Sequence, residues 1–167
     1  MQTPSAWHIN FRETGKPMSP QTIKIIITAV LLLHGLAHGR ALYTLLVDAA
    51  GSRTAAWLPV RSWLFPSLAR NRAAMIASVF YLLATIGFIA ASLSFWGVLV
   101  PGELWRQLAG AAAIISTLGI VLFNGMWPGA PDRRLSNLDT VIALVVNAAI
   151  LICLLWLQWP PVTMFGK

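Results

Sequence analysis

The stretch AAMIASVFYLLATIGFIAASLSFWGV, residues 73–98, runs for 26 positions without a charged side chain. A hydrocarbon layer about 30 Å thick is crossed by roughly 20 predominantly apolar residues at the helical rise of about 1.5 Å. In lipid every backbone donor must be satisfied within the segment, so the solvent imposes a helix even on β-branched runs such as Ile25-Ile26-Ile27-Thr28. Three further stretches of the same kind run from about Ile23 to Val47, Leu104 to Phe123 and Leu138 to Trp159. The expected fold is therefore all-α: an integral membrane protein built as an up-down four-transmembrane-helix bundle, with both termini on one side. Residues 1–21 form a polar N-terminal tail, 22–160 one transmembrane domain, and 161–167 a short C-terminal tail.

Composition closes off other classes. Apolar residues make up 57% of the chain and charged residues 10%, against about a quarter charged in a soluble domain. Four spans and short connections occupy nearly all 167 residues, leaving no room for a sizeable soluble domain. A net charge of +7 would suggest nucleic acid in a soluble chain. Here the basic residues flank apolar runs and meet lipid phosphates instead, so lipids are expected as partners and nucleic acid is not. The single cysteine, Cys153, excludes an intrachain disulfide and a cysteine-based metal cluster. The tail lacks the order of a signal peptide, Trp7 and Phe11 in it can touch a membrane surface, and Met18 offers a second start.

The boundaries have their own marks. Pro101-Gly102, Pro128-Gly129-Ala130-Pro131 and Pro160-Pro161 stop the second, third and fourth spans. Trp96, Trp105, Trp156 and Trp159 fall on the side of the termini, and Trp57, Trp63 and Trp127 on the other, as two interfacial belts require. The loop 48–72 alternates Trp57, Trp63 and Phe65 with Arg61. It reads as an interfacial anchor in preference to a lid over a lateral opening. Lys and Arg number five on the side of the termini: Arg12, Lys16, Lys24, Arg106 and Lys167. The other side carries Arg53, Arg61, Arg70, Arg72, Arg133 and Arg134, with Arg40 reaching toward it. This bias places the termini outside the cytoplasm.

Small residues supply the packing signal, because lipid offers no hydrophobic drive for helix association. Ala77-Ser78, Ala84-Thr85 and Ala91-Ser92 repeat every seven residues in the second span. Ala109, Ala113 and Thr117 repeat every four in the third, near Gly110 and Gly119, and the first offers Gly35 and Gly39. These seams serve either the bundle itself or contacts with other membrane subunits or a second copy.

One ionisable cluster lies at membrane depth: His34-Gly35-Leu36-Ala37-His38-Gly39-Arg40. His34 and His38 lie one turn apart on one face, where two imidazoles can share a metal or bracket a polar ligand. Gly35 and Gly39 leave room beside them for a flat group or a neighbouring backbone. Intramembrane ionisable groups are functional candidates, but a neutral histidine bonded to the next helix is ordinary helix glue. Polar contact within the bundle is the first reading, a quinone or other small molecule the second, and haem, pigment or metal the third. A metal would need ligands beyond His34 and His38. Asn147, in the fourth span, matches His34 in depth, and in an up-down ring the two helices are neighbours, so the amide and imidazole should bond directly or through one bound polar group, which makes Asn147 a ligand-binding candidate with the histidines. Arg40, near the span end, snorkels toward the interface, where Asp139 could pair with it.

The element Leu33-His34-Gly35-Leu36-Ala37-His38 resembles a pattern in the first helix of small bacterial four-helix membrane proteins of the DoxX-like type. The resemblance implies the inner (cytoplasmic) membrane of a bacterium and a link to quinone-dependent oxidation or to partner redox enzymes. Two functions follow from the residues and this likeness together. One is a non-catalytic accessory or anchoring subunit that packs against membrane partners through its seams; the chain offers no complete catalytic set. The alternative is a redox-associated protein with a quinone, haem or other small ligand beside His34 and His38. A coupled transporter is disfavoured, since acidic or broken-helix machinery is missing from the spans.

Overall fold

The computed structural model describes residues 18–51, 61–123 and 127–161. Trp7, Phe11, Arg53, Trp57 and most of both expected tails lie outside the described residues. Four helices follow one another: α1 Pro20–Ala49, α2 Arg70–Ser94, α3 Trp105–Leu122 and α4 Arg133–Leu151. All are long and apolar enough to cross a membrane. A 3-10 turn, Gly102–Leu104, leads into α3, and a π-helical turn, Ile152–Trp156, continues α4.

The ends of these helices follow capping chemistry rather than hydropathy. Ser19 caps α1 by accepting the Thr22 N–H at 3.1 Å, with Pro20 at the first helical position. Asp132 caps α4 by accepting the Leu135 N–H at 2.9 Å, so α4 starts before Leu138, through the mostly polar residues 133–137. At the other extreme α2 stops at Ser94 and not near Val98. There the chain turns through positive φ at Gly97 and Leu99, and the Ser94 hydroxyl donates to the Pro101 carbonyl at 2.6 Å.

Cross-helix contacts at both ends make consecutive helices antiparallel. Asp48 at the end of α1 pairs with Arg70 at the start of α2 at 2.7 Å. Trp96, just past α2, donates its indole N–H to Thr28 near the start of α1 at 2.7 Å. Arg106 at the start of α3 donates to the Leu154 and Pro160 carbonyls at 3.0 and 3.1 Å. Those acceptors lie in and just beyond the π-helical turn of α4, where the regular ladder has ended and carbonyls need donors.

The small-residue seams lie inside the bundle. Ala77, Ala84 and Ala91 of α2 and Ala109 and Ala113 of α3 are buried completely. A Cβ on Gly87 would sit 2.8 Å from that of Ala112, so α2 and α3 are in backbone-level contact there. Large apolar side chains such as Leu33, Ile86, Val145 and Leu155 point outward, the reverse of a soluble protein and suited to lipid. α1, α2 and α3 pack closely, whereas α4 touches α3 over less of its length and stays apart from α1 along most of its own. The alanine seams of α2 and α3 are thereby engaged within the chain.

Ala84→Leu forces a branched side chain into a site with no exposure, and overpacking of this kind costs about 1–3 kcal/mol. Leu83→Ile, at a position 48% exposed, should leave thermal stability in detergent nearly unchanged. Equal melting temperatures for the two variants would contradict the packing described.

Candidate functional site

His34 and His38 lie where the two apolar cores of the bundle meet. One core gathers Ala41, Leu45, Ala77, Tyr81 and Trp127, the other Leu31, Ala84, Phe88 and Ala112. The rings of the two histidines contact edge to face, with centroids 4.7 Å apart. Phe88 stacks on His38 at 5.7 Å with its ring almost parallel, and Tyr81 and Trp127 approach at 5.3 and 5.1 Å. His38 is fully buried.

From this aromatic box the polar atoms reach outward to two other helices. His34 Nε2 donates to the Asn147 side-chain oxygen of α4 at 2.9 Å. The Asn147 amide nitrogen donates to Ser116 Oγ at 2.7 Å and Thr117 Oγ1 at 3.2 Å, both on α3. Ser116 Oγ shares a 2.9 Å hydrogen bond with His38 Nε2. Ser116 Oγ accepts from Asn147 with one lone pair, and the direction of its bond to His38 follows the imidazole tautomer. The result is a closed polar knot, His34–Asn147–Ser116–His38, tying α1, α3 and α4 together. Among the fully buried side-chain atoms of the described residues, His38 Nδ1 is without a hydrogen-bond partner.

The depth match of His34 and Asn147 thus becomes a direct bond. Gly35 and Gly39 are places where α2 approaches α1, the neighbouring-backbone alternative of the two they offered. A Cβ on Gly35 would lie 3.1 Å from Phe88 Cβ and one on Gly39 3.5 Å from a Thr85 methyl. Arg40 and Asp139 are not joined in an ion pair: Arg40 is exposed, and among the described residues at that end of the bundle Arg70 pairs with Asp48. The two histidines do not converge on a shared point, since each Nε2 faces a different partner. Among the described residues no group of three His, Cys, Asp or Glu side chains forms a metal-ligand set.

Two members of the site escape a reading of the sequence. Ser116 hides beside Thr117, whose four-residue spacing from Ala113 draws attention to the seam. Its one distinguishing mark is a hydroxyl inside an apolar run. Trp127 was expected in an interfacial belt and is instead only 5% exposed. The turn Pro128–Pro131 folds it back over the end of the bundle. Gly129 takes φ +81 there, against Thr44, where a Cβ has no room, and Ser136 Oγ donates to the Trp127 carbonyl at 3.2 Å. Trp127 therefore covers the His38 side of the knot.

Ser116 and His38 have the spacing of a hydroxyl and its general base. The rest of such a site is not assembled around them. His38 Nδ1 meets no carboxylate, and Ser116 Oγ is held by Asn147. Both side chains are buried. The geometry is that of a lock between helices.

Open space lies one turn away. Beyond Val30 and Leu31 of α1, where α1 and α4 separate, a cleft of about 320 Å³ runs toward the Trp105 and Trp159 end of the bundle. Ile27, Val146, Ala149, Ile150 and Cys153 are among its walls. The π-helical turn of α4 contributes Cys153 and Leu154 to it. The His34–Asn147 bond spans the gap between the same two helices at the inner end.

The substitutions His34→Leu and Asn147→Leu should each destabilise the protein. The double variant should lose less than their sum, with a coupling of about 0.6 kcal/mol and at most about 1.7. Thermal unfolding in detergent measures it; strict additivity would separate the two residues energetically.

Compared with family models, with curated proteins and with solved structures, the chain matches none of them.

Proposed function

We propose that this is a non-catalytic accessory protein of the membrane that holds a long hydrocarbon tail, acyl or isoprenoid, in the cleft between α1 and α4. The cleft carries the reading. Its walls are apolar, aliphatic and aromatic side chains joined by the Met18 thioether and the Cys153 thiol. A concave apolar surface next to the hydrocarbon layer suits a linear chain, which gains dispersion contacts on several sides. The indoles of Trp105 and Trp159 stand at the interfacial end, where the polar head of such a molecule would lie.

The redox form of this reading assigns the tail to an isoprenoid quinone and the partner to a membrane redox enzyme. It draws on the likeness of the first helix to DoxX-like proteins. His34 and His38 then act by setting the spacing of α1 and α4, not by touching the quinone ring, because both Nε2 atoms are engaged within the bundle.

Cys153 is the single cysteine of the chain and lines the cleft, so its alkylation reports occupancy. Protein purified in mild detergent should carry about one tail-bearing molecule per chain, identified by mass spectrometry of the extract. Adding that molecule back to delipidated protein should slow alkylation of Cys153. Ala149→Trp, which fills the cleft from an exposed position, should abolish both effects while leaving the melting temperature intact. A bound complement unchanged by Ala149→Trp would overturn the assignment, and an extract of glycerolipids without quinone would remove its redox form.

A further inference from the structure

The opposite end of the molecule contains a second hollow, different in character. It measures about 430 Å³ and lies between the loop after α1 and the start of α2, lined by Arg61, Ser62, Trp63, Phe65, Leu68 and Arg70 among others. Its walls are fixed by the end of α3. Ser62 Oγ donates to the Leu122 carbonyl at 2.9 Å and the Trp63 indole N–H to the Val121 carbonyl at 2.6 Å. The loop therefore caps the last turn of α3, meeting acceptors that a helix end leaves open. Trp63, Leu64 and Phe65 are at the same time exposed. Such side chains beside arginines mark the headgroup level of a bilayer.

Charge in this hollow is unbalanced. Arg70 grips the buried Asp48 with two of its five N–H donors, through Nε at 3.1 Å and Nη2 at 2.7 Å. Its remaining donors are left for another acceptor. Arg61 is exposed and has no carboxylate within ion-pair distance among the described residues. On this side of the bundle the described residues hold Arg40, Arg61, Arg70, Arg72, Arg133 and Arg134 against Asp48, Asp132 and Asp139. Asp48 is engaged with Arg70 and Asp132 with the cap of α4. Two guanidinium groups over an aromatic and aliphatic wall, at headgroup depth, match a phosphate ester joined to a hydrocarbon chain.

We infer that Arg61 and Arg70, with the wall of Trp63, Phe65 and Leu68, form a site for the phosphate headgroup of an anionic phospholipid. This site is separate from the α1/α4 cleft, so it stands or falls independently of the tail-binding function. Arg70 positions the headgroup from a place fixed by Asp48. Arg61, free of such a tie, supplies the adjustable contact.

Native mass spectrometry of the full chain, titrated with phosphatidylglycerol and phosphatidylcholine of identical acyl chains, tests it. Phosphatidylglycerol should bind more tightly, and added salt should narrow the difference. Arg61→Gln should weaken phosphatidylglycerol about fivefold, the effect of one arginine near an anionic headgroup, and leave phosphatidylcholine unchanged. Arg133→Gln, on the same side but outside the hollow, controls for general surface attraction. Equal binding of the two lipids, or equal losses in the two variants, would overturn the proposal. Displacement of phosphatidylglycerol by millimolar inorganic phosphate would assign the site to free phosphate instead and overturn the lipid reading. Arg61 is exposed and makes no ion pair among the described residues, so its replacement should leave the melting temperature where it is.

Discussion

A carboxamide in the middle of a bilayer has no water to bond with, and this constraint organises the bundle around Asn147. Its oxygen and nitrogen together face His34, Ser116 and Thr117, drawn from two other helices. Leaving a buried polar group unpaired is more unfavourable than never placing it there. The four polar side chains are thus a set: each is tolerable at that depth because the others are present. Directional bonds also fix the rotation and depth of α4 relative to α1 and α3, which the non-directional packing of aliphatic side chains does only loosely.

Two kinds of cohesion divide the structure accordingly. α1, α2 and α3 meet through alanines, serines and glycines that let backbones approach, as where Gly87 faces Ala112. α4 lacks such a continuous seam toward α1 and is held there by the His34–Asn147 bond at one level. Where that bond ends, the helices part and the apolar cleft begins. The same residues that stabilise the bundle therefore set the width of its lateral opening, which links helix packing to the tail-binding function proposed above.

The two membrane faces solve the problem of helix ends in different ways. On the side of the α2–α3 turn, Arg106 reaches along α4 to donate to the carbonyls released by its π-helical turn. On the other side, Ser62 and Trp63 come from a distant loop to cap α3, and Trp127 folds inward over His38. The second arrangement draws Ser62 and Trp63 onto the bundle and leaves Arg61 and Arg70 around a hollow. Capping of one helix and presentation of positive charge are thereby joined in one segment.

The number of helices, their apolar character and their antiparallel order were legible in the sequence, because the membrane permits few alternatives to an uninterrupted helix of about 20 apolar residues. So was the pairing of His34 with Asn147, since equal depth on neighbouring helices leaves an amide and an imidazole little else to bond. Depth is a one-dimensional quantity that residue numbers supply. Rotation about each helix axis and the path of loops are not. Tertiary structure alone decided that Ser116, rather than its neighbour Thr117, links Asn147 to His38. It placed Gly35 and Gly39 against α2, turned Trp127 into the core, and gave Asp48 to Arg70 in place of a pairing between Arg40 and Asp139. Each of these depends on which side of a helix faces which neighbour, and that is settled only when all four helices pack at once.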